Sequence, residues 1–328
     1  MNKHTQKMRE KRNTTRKINT LKILPKCPRS RITGMESYKI NCGKNLLIGY
    51  DTIKALEETS THKDDFVHVV LSKLQDYDEP VVVKVYDEYN FHLHIEMNIL
   101  KKIDGFRNAP QLICDFSCND DKNKYITKIR NQTRFCGNGS HKLHFFVYEY
   151  ISHGDVSDFL TSNTVHIDTI KNLILQLTCV IMQLASVYRI YHGDINSGNI
   201  LIDSTNEKNV DYCIDGETFV IESHGIMPKL IDYGRSNFYN SGNIPNQHVW
   251  FDIIMMLGVI YPYIQNNDLK PTKNFTRFAD SYYPGSVTDK EINLQRLKQQ
   301  ILDMSKKTEL HLSSLPDYFI YMRNVLYN

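Results

Sequence analysis

Hydrophobic and polar positions change their period several times along the chain, and each change marks an element. Phe66–Leu71 and Val81–Tyr86 are short runs of β-branched and aromatic residues, which predict strands; Lys84 interrupts the second run. Ile95, Ile99, Leu100 and Ile103 then recur at three- and four-residue steps, the stripe of an amphipathic helix with Glu96 at its middle. Leu143–Ile151 reads as an aromatic-rich strand running into the turn Ser152-His153-Gly154-Asp155. Residues 168–190 carry the longest helical pattern, through Ile170, Leu173, Ile174, Leu177, Ile181, Leu184 and Val187. That pattern is apolar on more than one face, so a buried helix is expected. Upstream, Asn45–Gly49 predicts a strand and Thr52–Glu58 a helical turn or two. Downstream, Tyr212–Ile214 and Thr218–Ile221 flank Asp215-Gly216, a strong hairpin signal. Val249–Gly258 reads as a buried helix, and further helices are expected over Ile292–Met304 and Tyr318–Leu326.

Composition narrows the class. A chain of 328 residues, 41% hydrophobic and 23% charged, can bury a substantial core and is ordinary for a soluble globular protein. The net charge of +3 conceals an asymmetry. Residues 1–31 hold 11 of the 40 Lys and Arg but one of the 37 acids, a charge of +10 that leaves −7 on the remainder. This stretch reads as a disordered basic arm, closed by Pro25 and Pro28, suited to nucleic acid or an acidic partner. Seven irregularly spaced cysteines do not read as a disulfide framework. Reduced cysteines in a reducing, intracellular compartment are therefore expected. Cys114-x3-Cys118 and Cys136-x4-His141-x2-His144 are too loosely spaced to favour zinc over structural cysteines. The basic stretch lacks the apolar core of a secretory signal. The apolar runs around 173–187 and 249–264 read as too short and interrupted to span a bilayer, so no membrane association is expected.

The chemistry concentrates in Tyr191-His192-Gly193-Asp194-Ile195-Asn196-Ser197-Gly198-Asn199, which leads into the apolar run Ile200-Leu201-Ile202. An Asp at the start of such a loop can orient a hydroxyl nucleophile, and an Asn five residues on can offer an amide oxygen to Mg²⁺. Thirty-three residues after Asn199, Lys229-Leu230-Ile231-Asp232-Tyr233-Gly234 is an apolar strand ending in a second Asp suited to metal.

In order, Lys in a strand, Glu in a helix, an aromatic strand, a long helix, Asp-x4-Asn, Asp-Tyr-Gly and a buried helix resemble the protein-kinase superfamily. The resemblance covers about residues 60–265. Tyr212 with Asp215-Gly216, then Ser223-x-Gly225, Lys229–Tyr233 and Phe251-Asp252 resemble the haspin-like branch, known for phosphorylating a histone tail. The chain also looks like serine/threonine kinases encoded by large DNA viruses, and its many Asn, Ile, Lys and Tyr residues are compatible with an AT-rich genome.

The resemblance implies an α+β, bilobal kinase-like fold. The basic arm would span residues 1–31, a small β-rich N-lobe 32–148, and a larger, mainly helical C-lobe 149–328 with a hairpin insertion at 203–228. It implies ATP and Mg²⁺ as cofactors and a protein substrate, possible sites being the host cytoplasm or nucleus if the chain is viral. Asp194 would receive the acceptor's proton, and Lys84, braced by Glu96, would hold the α- and β-phosphates. Asn199 and Asp232 would bind metal. Glu149 and Ile151 would read the adenine edge through their backbones, Tyr148 would sit at the back of the pocket, Asp155 would meet the ribose, and Phe66 and Val67 would form the loop tip and adenine roof. Asp252 would tie down the catalytic loop.

Three departures matter. Thr61–His68 contains no Gly where a phosphate-cradling loop is expected. Gly193 replaces the Arg that answers a phosphorylated activation segment, so no phosphoswitch is expected. Asn196 stands where a Lys near the transferred phosphate is usual. His-Gly-Asp-x4-Asn also occurs in aminoglycoside- and choline-type kinases, which keeps a small-molecule kinase as the alternative. A pseudokinase acting as a binding scaffold is the second alternative.

If the arm serves an anionic partner, deleting residues 1–31 weakens binding to DNA or an acidic protein in a salt-dependent way and spares intrinsic activity. Binding that ignores salt, measured by a titration at rising ionic strength, would count against that role.

Overall fold

The computed structural model describes residues 47–54, 67–74, 77–120, 136, 139–162, 165–239, 246–267, 269–282 and 315–328. The basic arm, Phe66 and the helix expected over 292–304 lie outside the described residues.

The first half of the chain builds an antiparallel five-stranded sheet from β1 (Leu47–Lys54), β2 (Val67–Leu74), β3 (Pro80–Asp87), β4 (Leu112–Asp120) and β5 (His141–Glu149), in the order β1-β2-β3-β5-β4. Period-two alternation gives the sheet two different faces. Val70 and Leu74 lie with Val81, Val83, Val85, Leu143, Phe145 and Val147 in a fully buried apolar cluster. On the opposite face Val69 and Phe146 flank Lys84, and Leu71 and Tyr148 flank Val82. That second face is where chemistry can be placed.

Between β3 and β4 runs α1 (Phe91–Lys102). Its N-cap Asn90 accepts from the His92 amide at 2.8 Å, and Lys101 and Lys102 sit in the last turn, where they suit the helix dipole. Leu93, Glu96, Ile99 and Leu100 are its buried face, so the acid lies within the apolar stripe. Past α1, Asn108 is fully buried and bonds a later segment twice: its side-chain amide donates to the Pro228 carbonyl at 2.8 Å, and its backbone carbonyl accepts from the Leu230 amide at 2.8 Å.

After the short α2 (Val156–Ser162), α3 (Ile167–Gln183) forms the centre of the second half of the chain. With the wider turn Leu184–Tyr188 it runs 22 residues, long and apolar enough by length and composition to cross a membrane, which corrects the expectation that the run is too short. It is nonetheless buried almost throughout, as a core helix must be. It packs against α4 (Asn246–Asn266), α6 (Leu315–Tyr327) and the strands β8 (Asn209–Ile214), β9 (Glu217–Glu222) and β10 (Ile226–Leu230); α5 (Lys273–Tyr282) packs on α4 and α6. Arg189, in the left-handed region at φ 61°, ends the helix and turns the chain into β6 (Ile190–Tyr191).

Two small ladders then set the geometry of the site. β7 (Ile200–Ser204) pairs with β10, so that Ile200 faces Leu230. β11 (Asn237–Phe238) pairs with β6, so that Tyr191 faces Asn237. Each ladder joins one end of the 191–200 loop to one end of the 230–238 segment. The expected hairpin is present as β8 and β9. It docks on α3 through Tyr212, whose hydroxyl donates to Gln176 Oε1 at 3.1 Å, while Gln176 Nε2 donates to the carbonyls of Ser223 and Ile226 at 3.4 and 3.3 Å.

Two further expectations are corrected. Thr52–Lys54 continue β1 instead of starting a helix, because pairing with β2 overrides a weak local preference. Cys118 and Cys136 form a disulfide, and Cys114 and Cys213 are each in a disulfide as well. Cys118 and Cys136 are 18 residues apart in sequence, and linear spacing hides their proximity.

Tyr212→Phe leaves the buried Gln176 oxygen without its donor and should cost about 1–3 kcal/mol in urea unfolding. An unchanged unfolding midpoint would show that the hairpin does not depend on this contact.

Candidate active site

Lys84 is 7% exposed, and its ammonium needs partners. Nζ lies 2.8 Å from Glu96 Oε2 and 2.7 Å from Asp232 Oδ1. Strand β3 supplies the Lys, the buried face of α1 the Glu, and the chain just after β10 the Asp. Glu96 is held in turn by two phenols: Tyr86 donates to Oε2, and Tyr148 donates to Oε1 at 3.2 Å. Burial opposes the charge on Lys84, but Glu96 first and Asp232 second outweigh it and hold the ammonium well above its ordinary pKa. Burial likewise opposes ionisation of Asp232, and Lys84 outweighs it, keeping this carboxyl below the usual range.

Asp232 has φ 63°, sparsely populated for a residue with a side chain, and it opens the single turn Tyr233–Arg235. Helix α1 packs on this turn. Because a carbonyl can only accept, His92 Nδ1 carries the proton that it donates to the Gly234 carbonyl at 2.8 Å. A Cβ on Gly234 would lie 3.0 Å from His92 Cβ, so a residue without one allows α1 this close.

The 191–199 loop is held from below by a buried carboxylate. Asp252, on α4, accepts from the amides of His192 at 2.8 Å and Gly193 at 3.0 Å. Burial pushes its pKa up to about 7, against the pull of those two amides. His192 is fully buried; its Nε2–H donates to the Ile231 carbonyl at 2.9 Å, and its Nδ1 accepts from the Asp194 amide at 3.4 Å. Both bonds require the neutral ring, and burial lowers its pKa accordingly. The Asn199 amide nitrogen donates to the Asp194 carbonyl at 2.9 Å and to Oδ2 at 3.4 Å. The Asn199 backbone carbonyl accepts from the Ile231 amide at 3.1 Å, joining the loop to the residue before Asp232.

The structure therefore brings Lys84, Glu96 and Asp232 into direct contact and Asp194 and Asn199 into direct contact, with His192 and Ile231 linking the two groups. With its nitrogen committed to Asp194, Asn199 turns its amide oxygen the other way. That oxygen and the Asp232 carboxylate are hard donors of the kind Mg²⁺ takes, so the donor set fits this ion.

Glu149 ends β5, its amide donating to the Gln111 carbonyl at 3.1 Å, so of its backbone groups only the carbonyl can meet an adenine edge. Its carboxylate is bonded to Lys229, which also lies 3.2 Å from Asp203 Oδ2. Ile151 is buried. Asp155 accepts from the Asp158 amide at 2.9 Å and so caps α2, a use of this acid that the sequence reading did not include. Val67 opens β2 opposite Tyr86 and is a strand residue, which corrects its placement at a loop tip. Val69, Leu71 and Val82 share the face of Lys84 and are half-buried. The sequence reading missed these three, although counting the alternation outward from Lys84 would have found Val82.

Asp252→Ala would strand two buried amides and should cost about 2–5 kcal/mol in denaturant unfolding. Loss of less than about 0.5 kcal/mol would mean that the loop is held by other means.

No family model matches the chain. It is 26% identical over 98 residues to the serine/threonine-protein kinase haspin of Mus musculus and 22% identical over 191 residues to that of Bos taurus; these stretches are 30% and 53% of this chain. An uncharacterized protein of Caenorhabditis elegans is 49% identical over 45 residues, 14% of this chain. The matched stretches take in 13%, 24% and 15% of these relatives' own lengths, respectively, so the chain spans about a quarter or less of these three. The partial matches to haspin indicate a protein-kinase-like relationship.

Proposed function

We propose that this chain is a divergent, haspin-like serine/threonine protein kinase that transfers the γ-phosphate of ATP to a protein hydroxyl. The observation that carries the reading is the contact of Lys84 with both Glu96 and Asp232 beside the Asp194–Asn199 loop. A cation held between two acids, a carboxylate beside an amide, and a second acid with hard oxygens are the parts that phosphoryl transfer needs, because such catalysis is positioning and charge neutralisation.

In this reading Lys84 binds the α- and β-phosphates, and Glu96, fixed by Tyr86 and Tyr148, keeps the ammonium in place. Asp194 receives the proton of the attacking hydroxyl. Asn199 and Asp232 hold Mg²⁺, which when bound neutralises charge on the nucleotide phosphates. The half-buried Val69, Leu71 and Val82 offer an apolar surface for the base, and the Glu149 carbonyl and the backbone of Ile151 its polar edge. A bilobal arrangement, with the base between the five-stranded sheet and the helical half, belongs to the same proposal. Partial similarity to serine/threonine-protein kinases supports a protein acceptor over a small molecule, and a basic, histone-like acceptor is part of the proposal.

The test is transfer of radiolabelled phosphate from Mg-ATP, by phosphatase-treated protein, to histone, basic protein and a panel of aminoglycosides and choline. Labelling of protein is expected, and Asp194→Ala should reduce it by about 10²- to 10⁴-fold. Transfer that survives Asp194→Ala overturns the assignment. Transfer to the small-molecule panel alone points to the aminoglycoside/choline class, and Mg-ATP binding without transfer to a pseudokinase.

A further inference from the structure

We propose that Arg235 supplies the cation that meets the transferred phosphoryl group, a duty that Asn196 cannot perform; the proposal rests on the phosphotransferase reading above. Arg235 Nη1 lies 3.6 Å from Asp194 Oδ1, and its side chain remains 56% exposed. An ion pair this open contributes little to the fold. Its position is nevertheless fixed by the chain around it. The Ser236 amide donates to the Tyr233 carbonyl at 3.0 Å, the Ser236 hydroxyl donates to the His192 carbonyl at 2.9 Å, and β11 pairs with β6 immediately afterwards.

Gly193 makes this approach possible. It has φ +75°, and a Cβ there would lie 3.1 Å from the Arg235 carbonyl oxygen. The residue that breaks the usual His-Arg-Asp pattern is thus the one that lets the backbone of Arg235 lie on the catalytic loop.

Among the described residues, Asn196, Lys84 and Lys229 are committed. The Asn196 amide nitrogen donates to the Asp194 carbonyl at 3.2 Å, and its oxygen accepts from the Gly198 amide at 3.0 Å, so the side chain shapes the loop. Lys84 is locked between Glu96 and Asp232, and Lys229 between Glu149 and Asp203. Arg235 differs from both lysines: its guanidinium is solvent-exposed beside the carboxylate that would receive the proton. During transfer the bond from the γ-phosphorus to the β,γ-bridging oxygen breaks and the bond to the acceptor oxygen forms. The hydroxyl proton passes to Asp194, and ADP leaves. The charge resides on the equatorial phosphoryl oxygens, where a planar guanidinium can donate two parallel hydrogen bonds.

The experiment compares the full chain with Arg235→Ala and with the double variant Arg235→Ala/Asn196→Lys. Mg-ATP and Mg-ADP affinities are measured by calorimetry, and turnover on the acceptor found above is measured in parallel. Arg235→Ala should lower kcat by about 10²-fold or more with little change in acceptor KM. It should cut the preference for Mg-ATP over Mg-ADP by about tenfold, with an unchanged Tm because the side chain is exposed. A lysine at position 196 should recover at least about tenfold of the lost turnover, which a merely structural arginine would not allow. Arg235→Ala that keeps the ATP-over-ADP preference overturns the proposal, whatever its turnover. Should the wild-type chain transfer to no acceptor, the kinase reading fails, and the nucleotide preference alone decides the role of Arg235.

Discussion

A lysine ammonium buried at the middle of a sheet is the constraint on which the rest of this structure depends. Desolvating such a charge costs several kcal/mol unless opposite charge sits against it in good geometry. Lys84 therefore requires both Glu96 and Asp232, at 2.8 and 2.7 Å. Meeting that requirement means docking α1 on the sheet with its acid turned inward, and ending β10 so that Asp232 arrives below the lysine. Tyr86 and Tyr148 complete the arrangement by occupying both oxygens of Glu96. Replacing a buried ion cluster with well-packed hydrocarbon is often neutral or stabilising, so a stability argument alone does not explain these groups.

A second buried charge organises the other side of the site. Asp252 binds the amides of His192 and Gly193, and His192 binds the Ile231 carbonyl and the Asp194 amide. Together with the β6–β11 and β7–β10 ladders, these bonds join the loop bearing Asp194 and Asn199 to the turn bearing Asp232. The site is thus made of short segments, each fixed at both ends by a longer element. Such a scaffold can hold side chains within the tolerances that phosphoryl transfer requires.

Much of this was legible in the sequence, where a residue type was unusual for its element. A Lys in a β-branched run, an Asp-x4-Asn before an apolar strand, an Asp ending another strand and a long apolar helix each named a position that the fold then brought together. The loop-holding role of Asp252 came from the kinase resemblance alone, since an acid near the start of a helix is ordinary by itself. What escaped depended on tertiary proximity. Nothing in the spacing of Cys118 and Cys136 indicates that their sulfurs meet. Arg235 drew no notice because an Arg in a polar turn is ordinary until Gly193 and the β6–β11 ladder put it beside Asp194. Asp155 was given one role from its place after the β5 strand, while the start of α2 supplied another. Thr52–Lys54 were misassigned because a strand partner, which local sequence cannot show, decided their conformation.

The central claim is that the Lys84–Glu96–Asp232 cluster is a nucleotide-phosphate site and not merely an internal salt bridge. Thermal unfolding of the wild-type chain, Lys84→Met and Asp232→Asn, each with and without saturating Mg-ATP, tests it most directly. A bound ligand raises Tm only by binding the folded state. The account predicts that Mg-ATP raises the Tm of the wild-type chain by several degrees and that either substitution removes most of this rise, whatever it does to the unliganded Tm. An equal rise in all three proteins, or none in the wild type, would contradict it.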